Sequence, residues 1–415
     1  MPASADGVVV VAPAWHSCGS YEVFKAQLAA FRSLGFATYF LAMPPSKTTV
    51  GLADGFWDYY LRMTSNLGVD QRGEAVLPDS VPQRWTAKLE YWRDRKRSLA
   101  YERCLIARQA QIPQSLKAFC ASRRIRLIHT NHYFNLPMAL RLRRLTGGSP
   151  VVCETHDVQS HHFAENTAGL SASASRSNFD ACIADELAML TSADALVHLN
   201  DQEFNYFHSA LPQQRHQLIY PTLGSKAAIT TISQDYDFLI VASANDANYN
   251  SVCWFLDRVW NDDFNSRAKL KIVGNIDYMF ETRRNPLFAR YRGLFAGRVE
   301  NLTELYARSK AVIIPVVQGQ GLAIKTVEAL RYGKPLIYSP LALRGFSTHS
   351  FAQELGGKCE RIEDFHLAMD QILTHRADAQ NETALELYQA LFSPETYRAQ
   401  MENLVHETLR GHPYL

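Results

Sequence analysis

Residues 318–339 read QGQGLAIKTVEALRYGKPLIYS, a glycine loop, a helix and the start of a strand in one run. Just upstream, Ala311 to Val316 (AVIIPV) is almost continuously apolar, the pattern of a parallel strand covered on both faces. Gly319 and Gly321 bracket a loop that must turn tightly and let a ligand approach the backbone. The helix is expected from about Leu322 to Tyr332, stopping at Gly333 with Pro335 just beyond. Its first N–H groups face the loop, where the positive end of the helix dipole suits a phosphate.

Ile324, Val327 and Leu330 give this helix its apolar stripe, and Glu328 sits at the stripe's edge, one turn past Ile324. An ionised carboxylate there can accept from both hydroxyls of a ribose, at roughly 1.5–3 kcal/mol per charged hydrogen bond. The alternative is a Lys325–Glu328 pair on a solvated face, although Lys before Glu is the weaker order. Both readings stand at this point.

The segment resembles the donor-binding segment of the retaining glycosyltransferases of family 4, which have the GT-B fold. Gly319, Gly321, Lys325, Glu328-Ala329, Gly333 and Pro335 stand in that family's order. FLIVASANDANYNSVCWFLDRVW (238–260), KLKIVG (269–274) and LFAGRVENLTELYARSKAVIIPV (294–316) follow it too, and ETHDVQS (154–160) resembles its histidine-aspartate motif. The resemblance is strong over about residues 236–346, weaker over 150–206 and faint elsewhere. It implies an α/β chain of two Rossmann-like, doubly wound domains facing across a crevice. The implied reaction is transfer of a hexosyl-type sugar, with retention, from a nucleotide-diphosphate donor to an acceptor hydroxyl of a glycan, lipid-linked or small molecule. Polysaccharide biosynthesis is the implied setting, with no cofactor.

On this resemblance, Glu328 anchors the ribose, while the amides of Gly319, Gly321 and Leu322 hold the departing phosphate together with Lys325. His156, as a hydrogen-bond donor, and Gln320 orient the transferred sugar. Asn250 stands at the expected start of the helix after loop Ser243–Asn250, as a donor contact; Gly19, after the first strand, either lets the backbone approach the donor diphosphate or the acceptor or simply turns the chain from strand to helix. The chain departs from the family in three places. The family's first acid, eight residues before Glu328, is Gln320 here. Loop Ser243–Asn250 lacks the usual Arg and Lys, leaving Lys325 and Arg298 as basic candidates, Arg298 better suited to fixing its own loop. The family's Asp-Arg stands as His161-His162.

Asp235-Tyr236-Asp237 has the D-x-D form of metal-dependent sugar transferases, but it precedes strand 238–242 at its amino end. The expected chemistry is therefore metal-independent, resting on helix N-termini and basic side chains. His156, His161 and His162 lack the carboxylate or cysteine spacing of a metal site.

With 415 residues, the chain exceeds one ordinary core and suits two domains. The expected division is 1–220, 221–393 and a terminal helical segment 394–415, which the resemblance implies returns to the first domain, with the linker near Tyr220 to Asp235. Strands are expected at Val8–Ala12, Ala37–Ala42, Leu127–His129, Val151–Cys153 and Ala195–Leu199, and Met43 to Pro82 reads as irregular. Apolar residues make up 47% and charged residues 20%, as in globular domains. The net charge of +2 implies no pull toward nucleic acid. Seven scattered cysteines without a C-x-x-C pair suit a reducing compartment. No basic leader and no run of eighteen apolar residues is present, so a cytoplasmic location is expected.

One stretch stands apart. Residues 84–126 hold twelve basic residues against Glu90, Asp94 and Glu102, with Trp85, Tyr91, Trp92 and Tyr101 interleaved. This suits peripheral contact with the inner face of a membrane, where a lipid-linked acceptor lies, or a solvated basic face with aromatics turned inward. Two further functions fit the same fold: a nucleotide-sugar epimerase and a non-catalytic sugar- or nucleotide-binding scaffold. A nicotinamide dehydrogenase does not fit, since no G-x-G-x-x-G follows the first strand.

Overall fold

A computed structural model describes residues 6–16, 19–44, 53–77, 99–161, 172–226, 234–299, 301–319, 321–346, 355–374 and 381–410. The chain divides into two compact units, Met1–Pro221 with Tyr397–Leu415, and Thr222–Thr396.

The first unit is built on β1 (Gly7–Pro13), β2 (Ala37–Met43), β3 (Gln71–Glu74), β4 (Ile125–Asn131), β5 (Val151–Glu154), β6 (Ala195–His198) and β7 (His216–Leu218). All pairings are parallel, in the order β3-β2-β1-β4-β5-β6-β7. The central strand explains the layering. Val9 and Val11 of β1 join Tyr39, Leu116, Phe119 and Met138 on one face, while Val8 and Val10 join Phe24, Phe31, Met401 and Leu404 on the other. Each fully buried Val contributes roughly 1.5–3 kcal/mol. Helix Pro394–Arg410 supplies Tyr397, Met401, Leu404 and Val405 to that second face, the i, i+4, i+7, i+8 spacing of a single helical stripe.

The stretch read as irregular, Met43 to Pro82, is partly ordered: it holds helix Ala53–Met63 and edge strand β3. The strand sequence QRGE has no β-branched or aromatic residue, so pairing rather than propensity makes it a strand. β3 pairs with β2, and Asp70 just before it accepts from Thr38 N at 2.8 Å and Thr38 Oγ1 at 2.9 Å.

The second unit contains β8 (Tyr236–Val241), β9 (Leu270–Val273), β10 (Ser309–Ile314), β11 (Leu336–Tyr338) and β12 (Gly356–Lys358), parallel in the order β12-β11-β10-β8-β9. A parallel bridge from Ile272 to Phe295 adds a rudimentary sixth strand beyond β9. Counted along the unit's own chain, the order becomes 3-2-1-4-5-6, that of a dinucleotide-binding sheet. The strand order reverses between β8 and β10, and ligands of such sheets sit at the carboxyl ends of that pair. Phe238, Ile240, Phe255, Trp260, Ile313 and Phe365 form the core on one face. Among the described residues no helix is long and apolar enough to cross a membrane.

Candidate functional site

β10 ends where Pro315 withholds an N–H from the ladder. The chain beyond is fastened by Ser339 Oγ, which donates to Val316 O at 2.6 Å, and by Val317 N, which donates to Ser251 Oγ at 3.3 Å. Gly319 (φ 139°) and Gly321 (φ 67°) then take backbone conformations that side chains rarely adopt. A Cβ at Gly319 would stand 3.1 Å from Arg344 Nη2, so a guanidinium lies over the loop backbone. Gln320 lies outside the described residues, and Leu322 is half-buried.

The helix that follows spans Ile324–Arg331, two residues shorter at its start than expected, and Ala323 at its N-cap supplies no side-chain cap. Ile324 N already donates to Leu322 O at 2.9 Å and Thr326 N to Ala323 O at 2.8 Å. Those two amides are therefore not open to a phosphate, contrary to the expectation of a freely donating helix start.

Lys325 Nζ donates to Asn248 Oδ1. Asn248 belongs to helix Asp246–Trp254, which follows β8, so this contact joins both sides of the reversal point. The amide is oriented: Asn248 Nδ2 donates to Ser243 O at 2.8 Å and Ser243 Oγ at 3.0 Å, leaving Oδ1 for the lysine. Burial pushes Lys325 down to about 8; the Arg344 charge adds to this and Glu328 opposes it. Beneath the ammonium is a cavity of about 20 Å³ bounded by Ala242, Asn248, Ser251, Tyr306 and Val316, about the room of one water.

The helix carrying Asn248 begins four residues before the expected Asn250, because Asn245 caps it by accepting from Asn248 N at 2.8 Å. Asn250 is consequently exposed, and Asn248 is the residue brought to Lys325.

Glu328, one turn beyond Lys325, takes a different partner. Tyr306 donates its hydroxyl to Glu328 Oε2 at 3.0 Å. Tyr306 is fully buried, and burial, followed by the Glu328 charge, holds its hydroxyl well above the ordinary tyrosine value. Its ring stacks on Tyr332 at 4.2 Å, and Tyr332 OH meets Thr303 Oγ1 at 2.9 Å. Asp235 pairs with Arg308 and Asp237 with Lys310 at 2.7 Å, both at the amino end of β8. Arg298 is exposed. Among the described residues no group of side chains could hold a metal ion.

In the first unit, His156 follows β5 at its carboxyl end with φ 65°, and His132 follows β4 with φ 63°. Such backbone costs about 1–3 kcal/mol for each non-glycine residue and gathers at functional sites. The two rings stack at 4.2 Å, and both residues are buried. His156 Nε2 lies 2.8 Å from Asn131 Oδ1. Gln27 Nε2 also donates to Asn131 Oδ1, at 2.7 Å, and Asn131 Nδ2 donates back to Gln27 Oε1 at 3.0 Å. With Asn131 oxygen facing the ring, Nε2 carries the hydrogen. Glu154 bridges His156 and His129, each at 3.3 Å. Burial lowers the His156 pKa, with Glu154 and Asp157 opposing and His129 adding to the shift.

Gly19 opens helix Gly19–Ser33. His161 stacks on Phe179 at 5.8 Å and meets Tyr206 edge-on at 5.3 Å, while His162 lies outside the described residues. Of the basic stretch, residues 84–98 lie outside them too. Its described part turns inward in places: Arg103 lies over Trp15 and Phe134, and Arg123 over Phe119.

Sequence reasoning did not single out Asn248, Tyr306, Arg344, His132 or the Gln27–Asn131 pair. The Asn245 cap sets Asn248, and the others are brought in by strand order.

Residues 235–375 match the family described as Glycosyl transferases group 1. No curated protein matches significantly. Solved structures do, over nearly the whole chain. Sucrose-phosphate synthase from Thermosynechococcus elongatus is similar with a TM-score of 0.64 and 13% identity, covering 98% of this chain and 100% of that one. HepE of Anabaena, in complex with UDP and glucose, has a TM-score of 0.61 and 12% identity, covering 97% and 100%. The pneumococcal O-GlcNAc transferase GtfA, in complex with UDP and GlcNAc, has a TM-score of 0.61 and 11% identity, covering 98% and 99%. At these identities the likeness is one of fold, and the fold is GT-B.

Proposed function

We propose that this chain is a glycosyltransferase that moves a sugar from a nucleotide-diphosphate donor to an acceptor hydroxyl. The observation that carries the reading is Lys325 held against Asn248 at the reversal point of the second sheet, beside two left-handed glycines. One turn on, Glu328 is oriented by Tyr306. A glycine loop, a cation and a fixed carboxylate in that order suit a diphosphate followed by a ribose. The match of residues 235–375 to glycosyl transferases group 1 supports this, and two of the solved neighbours were determined with UDP.

In this account the diphosphate leaves against Lys325 and the backbone of Gly319, Gly321 and Leu322. The anomeric carbon gains oxocarbenium character, with Gln320 and His156 orienting the sugar. Charge on the departing phosphate is met by side-chain cations, so no metal is required. The configuration is retained, and Glu328 grips the ribose throughout. The His156 hydrogen on Nε2 is taken by Asn131, so the ring meets a sugar hydroxyl as an acceptor through Nδ1 and not as the donor the resemblance implies. Gly19 and Asn250 stay in the account as outer donor contacts, and the acceptor is a glycan or a lipid-linked molecule.

The test is release of nucleoside diphosphate from a panel of nucleotide sugars in the presence of candidate acceptors, followed by mass spectrometry of the glycosylated product. Product from the wild type and none from Lys325→Met supports the reading. Conversion of donor to an isomer without acceptor identifies an epimerase instead, and binding without any turnover identifies a scaffold.

A further inference from the structure

We infer that Arg344 is the second cation of the diphosphate site, reaching it from the turn after β11. The inference rests on the donor-binding reading above and adds a residue to it.

The sequence gives no hint, since Arg344 lies nineteen residues past Lys325 in SPLALRG (339–345). The sheet order supplies it. β11 pairs with β10, so the turn Pro340–Leu343 rises beside the glycine loop that leaves β10. Thr326 Oγ1 donates to Ala342 O and ties that turn to the helix carrying Lys325. Arg344 then places Nη2 at 3.1 Å from the position a Gly319 Cβ would occupy, while Nη1 donates to Leu341 O at 3.1 Å.

Two cations are thus brought together on separate elements around one loop. Arg344 is desolvated, and its charge acts on Lys325, which is desolvated as well. Glu328 is the acid that acts on Lys325 in return. Like charges drawn out of water repel, and an anion seated between them relieves that. Loop Ser243–Asn250 carries no basic residue, and the amides of Ile324 and Thr326 already have carbonyl partners. A diphosphate has two phosphoryl groups, and one ammonium and one guanidinium match them, the guanidinium as a fork.

The competing role is structural: Arg344 closing its own turn through Leu341 O. Comparing di- and monophosphates separates the two, because turn closure affects both ligands alike. Calorimetric affinities are measured for UDP, GDP and ADP and for UMP, GMP and AMP, with wild type, Arg344→Gln and Arg344→Lys. The expected result is a loss of roughly 10- to 100-fold for the preferred diphosphate in Arg344→Gln, a change of under about threefold for its monophosphate, and partial recovery in Arg344→Lys. If Arg344→Gln does not fold, Arg344→Lys carries the comparison, since loss of the fork still weakens the diphosphate selectively. An unchanged diphosphate-to-monophosphate ratio in the variants, with the wild type preferring diphosphate, overturns the role of Arg344 alone. A wild type with no preference for diphosphates overturns the donor-binding reading and this inference with it.

Discussion

The Tyr306 hydroxyl lies 3.0 Å from Glu328 Oε2 and donates to it, and the tyrosine reaches it from helix Leu302–Ala307, on the other side of β10 in the chain. A fully buried phenol stacked on Tyr332 has little freedom, so it fixes one carboxylate oxygen. Removing the hydroxyl takes away this hydrogen bond without removing the carboxylate's charge. Tyr306→Phe is expected to weaken the preferred nucleoside diphosphate by about 3- to 10-fold, in line with one hydrogen bond. It leaves the 2′,3′-dideoxy analogue unaffected. Equal losses for both nucleotides in a titration would assign Tyr306 to packing instead.

Lys325 sets a pH dependence whose sign follows from its environment. Its folded value is pushed down to about 8, so below that pH it is already charged and a diphosphate binds without proton uptake. Above about 8, binding must draw a proton onto the lysine. Affinity is expected to stay level from pH 7 to 8 and then fall, at most about tenfold per pH unit. The ligand does not cause the change, because its phosphates finish ionising near pH 6. Lys325→Gln should bind more weakly and lose the slope, and calorimetry at pH 7, 8 and 9 checks both.

Asn131 joins Gln27, His156 and the Val11 carbonyl in one buried cluster. Asn131→Ala leaves the Gln27 amide and the imidazole without these partners, at about 1–3 kcal/mol for each stranded group. The first unit is expected to lose about 3 kcal/mol of stability, seen as a lower urea midpoint for its transition. The second unit, monitored through Trp254 and Trp260, should hold its own midpoint.

The basic stretch gives a separate test of membrane contact. Charge reversal at Arg95, Lys96 and Arg97 is expected to abolish co-sedimentation with phosphatidylserine vesicles, at roughly 1 kcal/mol per basic residue removed from the surface. Unchanged co-sedimentation, or none by the wild type, leaves the stretch as a solvated face.

What could be read in advance was whatever a short window specifies. β10, the glycine loop, the helix with Lys325 and Glu328, and β11 all rest on local periodicity, two glycines and a proline. The structure places that strand, helix and strand within two or three residues of the expected limits. β3 could not be read, because QRGE becomes a strand only by lying along β2. Asn248 rather than Asn250 faces Lys325 for a smaller reason: the Asn245 cap starts that helix four residues before the expected Asn250. Arg344 and Tyr306 reach the site only through the pairing of β10 with its neighbours, which no window of sequence contains. His132 and His156 owe their stacking to two positive φ values at the ends of adjacent strands, a strain that residue identity does not announce.

The most direct measurement is a ligand-observed NMR screen of the purified protein against UDP, GDP, ADP, CMP and their common sugar conjugates, repeated with Glu328→Gln. The account predicts a clear preference for one nucleoside diphosphate and its sugar, lost in the variant while the fold is retained. Silence across the panel, or binding that Glu328→Gln leaves intact, would contradict it.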